Sequence, residues 1–193
     1  MIKGKIVIIS GPSGSGKTTL HKKLLLSKKL KNQLVKSVSA TTRTPRAGEK
    51  RGRDYLFFSL PKFLYKIKKG DFLEWQKVFD NYYGTPKKSV ETLLKAGKNV
   101  LLCIDVKGAK VVARHYPEAI TIFIKVPSLT LLKQRLLDRG TETKTDLKLR
   151  LETARKEMRE ANNYDHTIIN DRLPEAFKRL EKVVIKALKN PGN

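Results

Sequence analysis

The sequence predicts an α/β fold: a P-loop parallel sheet flanked by helices, with an inserted, mainly antiparallel β region. Three features predict it. Strand-like apolar runs at residues 5–9, 99–104, 120–126 and 167–169 alternate with helical patterns, as strands joined by crossover helices do. A glycine-rich phosphate-binding loop separates the first run from the first helix. Between residues 35 and 90 the texture changes to short runs broken by Pro45, Gly48, Gly52, Pro61, Gly70, Gly84 and Pro86.

In chain order, Ile6-Val7-Ile8-Ile9 reads as a buried strand. Gly11-Pro12-Ser13-Gly14-Ser15-Gly16-Lys17-Thr18 then completes the pattern G-x-x-x-x-G-K-[ST], and Thr19-Leu20-His21-Lys22-Lys23-Leu24-Leu25 opens a helix. Strand, loop and helix occur in the order that lets backbone N–H groups and a helix N-terminus converge on a nucleotide's phosphates. Residues Gly11 to Thr19 are therefore expected to bind a nucleoside triphosphate. Lys17 should reach its β/γ oxygens, and the Thr18 hydroxyl should ligate Mg²⁺. The runs at 35–39, 54–58 and 72–78 predict the insertion and a second binding surface. Leu147, Leu151, Ala154, Met158 and Ala161 form one stripe of a helix, with Met158 in the core. Pro174 starts a C-terminal helix whose apolar face is Phe177, Leu180, Val184 and Leu188.

The 193 residues suffice for one α/β core with small inserts. No apolar run is long enough to cross a bilayer, and no signal-peptide pattern precedes the loop. Cys103, the one cysteine, reads as a small buried hydrophobe. The expectation is a cytoplasmic protein. A net charge of +24 invites nucleic-acid binding, yet the basic residues form only short clusters and aromatics make up 7%. The expected partners are anionic nucleotides, with no specific nucleic acid and at most weak, salt-sensitive polyanion contact.

Thr41-Thr42-Arg43-Thr44-Pro45-Arg46 sets two arginines in a non-helical stretch, and guanidinium forks match phosphate. Tyr55 and Tyr83 add phenol donors nearby. The residues alone leave two readings open, a second anion site or a basic loop whose aromatics pack the core.

The ordered set Ser37-Val38-Ser39-Ala40-Thr41-Thr42-Arg43-Thr44-Pro45-Arg46-Ala47-Gly48-Glu49, Asp54-Tyr55, Phe72-Leu73-Glu74-Trp75, Asn81-Tyr82-Tyr83-Gly84-Thr85, Ile104-Asp105-Val106-Lys107-Gly108 and Arg139-Gly140-Thr141-Glu142-Thr143 resembles guanylate kinase across nearly the whole chain. The resemblance implies a core at about 1–34, 91–127 and 160–193, a GMP-binding insertion at about 35–90, and a lid at about 128–159. It implies that Arg43, Arg46, Tyr55 and Tyr83 hold the GMP phosphate, while Ser39, Glu74, Thr85 and Asp105 read the base. A carboxylate suits guanine because it accepts from N1–H and N2–H₂ together, and a hydroxyl can donate to O6. Asp105 ends an apolar strand, so base recognition, support of the metal, or both remain open for it.

Arg135 and Arg139 share a helix face and Arg150 stands on the next helix. The residues alone fit a solvated basic face equally well. The resemblance implies a mobile lid whose arginines neutralise the transferred phosphoryl group, with Lys17 and Arg43, and implies that Asn170 contacts adenine. His21, His115 and His166 form no metal-ligand spacing and read as surface or helix positions. Lys107, Val126 and Arg172 depart from the family's usual residues without removing a phosphate- or base-reading group. The implied activity is ATP:GMP phosphotransfer to GDP and ADP with Mg²⁺, in a monomer or homodimer without membrane contact. A non-catalytic binding module of the same family, or a kinase with another acceptor, are the alternatives.

Overall fold

The computed structural model describes residues 4–78, 80–138 and 144–189. A five-stranded sheet forms the centre. Its strands are β1 (Ile6–Ser10), β2 (Leu34–Lys36), β7 (Asn99–Cys103), β8 (Ile120–Lys125) and β9 (His166–Ile169). They run in the order β2-β7-β1-β8-β9, and every pair is parallel. Side chains alternate across a strand, so β1 feeds two cores. Val7 and Ile9 pack with α1 (Lys17–Leu25) and α7 (Leu173–Lys189) through Leu20, Leu24, Leu180 and Val184. Ile6 and Ile8 face α3 (Lys87–Lys95) and α4 (Val106–His115) through Val90, Leu94, Ala109 and Val112. Burial on both faces is why these strands read as unbroken apolar runs.

A second sheet holds β3 (Ala40–Thr41), β4 (Leu56–Phe57), β5 (Phe72–Val78) and β6 (Asn81–Pro86) in the order β4-β3-β6-β5. The β3–β6 and β5–β6 pairs are antiparallel, and β3–β4 is parallel. One expectation needs correcting. The run at 35–39 is expected in the insertion, but Leu34–Lys36 pairs with β7 through Leu34↔Asn99 and Lys36↔Leu101 and belongs to the central sheet. A three-residue edge strand carries too little pattern to separate it from the short runs that follow.

An unexpected helix, α2 (Leu60–Lys68), stands among the short runs, and its Phe63 stacks on Phe72 at 4.5 Å. Pro61 reads as punctuation in the sequence, whereas here it occupies the helix's first turn, where proline is well tolerated. The lid contains α5 (Leu129–Leu137) and α6 (Lys144–Arg159). Ser128 caps α5 by accepting from the Leu131 N–H at 3.1 Å. The two helices close over Val126, Leu132, Leu136 and Ala154, with the predicted Leu147, Leu151 and Met158 packed alongside. Ala161, the stripe's last member, lies in a 3₁₀ turn at Glu160–Asn163.

Candidate active site

The phosphate loop emerges at the carboxyl end of β1, where parallel sheets present their loops. Gly11 has φ 138°, and a Cβ there would lie 2.3 Å from the Ile124 carbonyl oxygen on β8. Gly16, at φ 89°, precedes α1 in left-handed conformation, and a Cβ there would strike the Asn170 amide at 2.2 Å. The helix start has no side-chain cap and no acidic residue in its first turn, so it offers unopposed positive dipole to an anion. Lys17 Nζ donates to the Gly11 and Pro12 carbonyls at 2.5 and 2.8 Å.

A cavity of about 660 Å³ opens beside this loop. It brings together residues remote in sequence. Gly11, Ser13, Lys17 and Thr18 of the loop line it together with Ser39, Arg43, Arg46, Tyr55, Glu74 and Tyr83, and with Asp105 and Arg150. Arg150 reaches the loop directly, its Nη1 donating to Ser13 Oγ at 3.3 Å.

Glu74 is buried on β5, and its Oε1 accepts from Thr85 Oγ1 at 2.6 Å. Burial pushes its carboxyl up to about 7; the Thr85 hydrogen bonds oppose that shift and the nearby Asp105 adds to it. Asp105 caps α4, its Oδ1 accepting from the Gly108 N–H at 2.8 Å. The phenols stand edge to face, Tyr55 to Tyr83 at 6.2 Å, with the Arg43 guanidinium 5.6 Å over the Tyr55 ring. Burial raises the Tyr55 pKa, which keeps its hydroxyl a donor.

Other expected residues stand behind the cavity wall. Thr85 is fully buried and spends its hydroxyl on Glu74. Asn170 is buried too, and its Nδ2 donates to the Ser15 carbonyl at 2.8 Å, bracing the phosphate loop. Arg135 ties α5 to the end of β9, its Nη2 donating to the Asn170 carbonyl at 3.0 Å, while its Nη1 is buried without a partner. Pro12, Gly14, Ser15 and Gly16 shape the loop from behind, and Thr19 is exposed on α1. Arg139 lies outside the described residues.

The cavity also recruits residues that received no role from the sequence. Glu157 on α6 lines it, and burial pushes its carboxyl up to about 7 although Lys17 and Lys107 pull the other way. Its signal was available, since it lies two helical turns from Arg150 on the same face. His21, four residues after Lys17, is buried in the lining rather than on the surface. Burial, then Lys36 and Lys22, hold its pKa down to about 4, so it is neutral near pH 7. Among the described residues no group of His, Cys, Asp and Glu could by itself hold a metal ion. No described helix is long and apolar enough to cross a membrane.

The family model described as guanylate kinase matches residues 3–187. A guanylate kinase of Clostridium tetani is 45% identical over 184 residues, covering 95% of this chain and 86% of that protein. A guanylate kinase of Rickettsia felis is 44% identical over 183 residues, covering 95% and 94% respectively. The crystal structure of guanylate kinase from Anaplasma phagocytophilum superposes with a TM-score of 0.78 at 32% identity, covering 98% of this chain and 89% of that one. A match that runs unbroken from the phosphate loop through the inserted sheet and lid to α7 has one meaning: the chain belongs to the guanylate kinase family.

Proposed function

We propose that the cavity seats GMP against the inserted sheet and the triphosphate of ATP on the loop, and transfers the γ-phosphoryl group between them. One observation carries this reading. A buried carboxyl group with a hydroxyl partner, Glu74 with Thr85, lines the same cavity as Lys17 of the phosphate loop. Guanine presents paired N–H donors to such a carboxylate; adenine offers none in that arrangement and would leave Glu74 unpaired, a mismatch worth about 10⁴-fold in related polar sites.

In this reading Arg43, Arg46, Tyr55 and Tyr83 grip the GMP phosphate, and Ser39 and Asp105 face the base. A phosphate oxygen of GMP attacks Pγ in line. The bond from Pγ to the bridging oxygen breaks, and ADP leaves with its electron pair. The attacking oxygen is already anionic near neutral pH, so no general base is needed. Lys17 and Arg150, which line the cavity, counter the charge that would keep two anions apart. Mg²⁺ fits the donor chemistry, because the Thr18 hydroxyl and the Asp105 carboxylate are hard oxygen donors and both line the cavity. Thr18 would hold the ion, which supplies further charge neutralisation when bound with ATP.

ATP consumption with GMP, dGMP, AMP, UMP and CMP as acceptors tests the reading. Guanine nucleotides should turn over and the others should not. Equal use of AMP, or no acceptor-dependent ADP at all, would overturn it.

A further inference from the structure

Arg43 is not held by the cavity wall alone. Its Nη2 donates to both carboxylate oxygens of Glu49 at 2.9 Å, and its Nη1 donates to the Thr44 carbonyl at 2.7 Å. Glu49 Oε2 also accepts from the backbone N–H of Arg46 at 2.8 Å, while the Glu49 N–H donates to the Arg46 carbonyl at 3.0 Å. Both side chains are largely covered, with 14% of Arg43 and 20% of Glu49 exposed. One carboxylate thus ties the Arg43 guanidinium to the backbone of Arg46 and fixes the loop between them. We infer that Glu49 is a positioning residue for the acceptor's phosphate, acting through Arg43 and Arg46. The inference rests on the assignment of these arginines to the GMP phosphate.

Two physical roles are open to an anion in this place, and they differ in sign. A carboxylate that stands in for the phosphate must leave when substrate arrives, and its removal would tighten binding. A carboxylate that shapes the pocket must stay, and its removal would weaken binding. The geometry favours the second role. Displacing the Glu49 carboxylate would strand the Arg46 N–H and release the Arg43 guanidinium, so displacement loses three hydrogen bonds at once. Burial pushes Glu49 up, but the Arg46 N–H and the Arg43 fork outweigh it and hold the carboxyl below the ordinary range, so the anion persists at neutral pH. Two guanidinium groups against one carboxylate still leave net positive charge for a phosphate. A fork fixed in advance loses little side-chain freedom when it binds.

Glu49→Ala and Glu49→Gln test this by calorimetry and steady-state kinetics. Guanosine and GMP serve as paired ligands because only GMP carries the phosphate. In Glu49→Ala, GMP affinity should fall by about tenfold, while guanosine affinity, the KM for ATP and kcat at saturating GMP stay near wild type, the pattern of lost ground-state binding. Glu49→Gln keeps an acceptor for the Arg46 N–H and should recover part of the loss. Tighter GMP binding in Glu49→Ala identifies a displaceable stand-in and overturns the inference. Equal losses for guanosine and GMP reveal a general structural defect and overturn it too. A wild-type protein that binds guanosine and GMP equally well removes the phosphate assignment itself, a failure distinct from the other two.

Discussion

At Glu74, burial pushes the carboxyl from 4.5 up to about 7, so near neutrality the free protein carries this group as a mixture of acid and anion. Guanine's N1–H and N2–H₂ donors pair only with the anion. Binding should therefore expel a proton, and guanosine affinity should rise as pH climbs from about 6 to about 8, then level off. Guanosine is the ligand to use, because the phosphate of GMP titrates in the same window. Calorimetry in two buffers of different ionisation heat reads the proton release directly. Glu74→Gln should abolish the pH dependence, weaken guanosine binding, and relax the rejection of AMP. A flat wild-type profile would remove Glu74 as reader of the base. The same shift has a stability consequence with a definite sign. An acid whose folded pKa is raised is favoured while protonated, so its contribution is lost as pH rises from 4.5 to about 7, by roughly 3 kcal/mol.

The proposed role of Glu74 requires that α4 leave it room. The helix begins at Val106 behind its Asp105 cap and meets β5 through Gly108, where a Cβ would lie 2.6 Å from Glu74 Oε2. Gly108→Ala should push the carboxylate aside, raising the KM for GMP by about tenfold with the KM for ATP little changed. Gly52→Ala, strained by a φ of 79° but with nothing within 4 Å of its Cβ, shows what a generally disturbed insertion does to both KM values. Equal rises in both KM values would show that crowding at Gly108 is not confined to the base site. This contact also marks where the sequence is legible at the scale of elements. The four strand runs, the phosphate loop and the last two helices are readable because each has a period or a motif of its own. What escapes is juxtaposition: α4 against Glu74, or Asn170 under Gly16. Pro61 and Pro86 read as breaks, yet each stands at a helix start, because proline lacks only an N–H that a first turn does not use.

Across the whole molecule, two sheets and a lid bring their charged residues to one cavity, and a net charge of +24 surrounds it. The composition shows that charge, but only the fold shows how it is disposed. Arg43, Lys17 and Arg150 converge on the cavity, whereas Arg179–Asp171 and Lys87–Glu91 are ion pairs at the surface. Exposed pairs of that kind contribute little, typically under about 1 kcal/mol each. Long-range repulsion among the excess cations should outweigh them. Raising sodium chloride from about 10 mM to about 150 mM shortens the screening length from about 30 Å to about 8 Å, and should raise the Tm of the free protein. GMP and AMP carry equal charge, so they separate general anion relief from recognition. At low salt both should stabilise the protein, and at the higher salt the AMP increment should shrink towards zero. The GMP increment should persist, because contacts to Glu74 are buried and little screened. A Tm that falls with salt would mean that surface pairs outweigh the repulsion. GMP and AMP increments that vanish together would mean that the cavity attracts charge without reading the base.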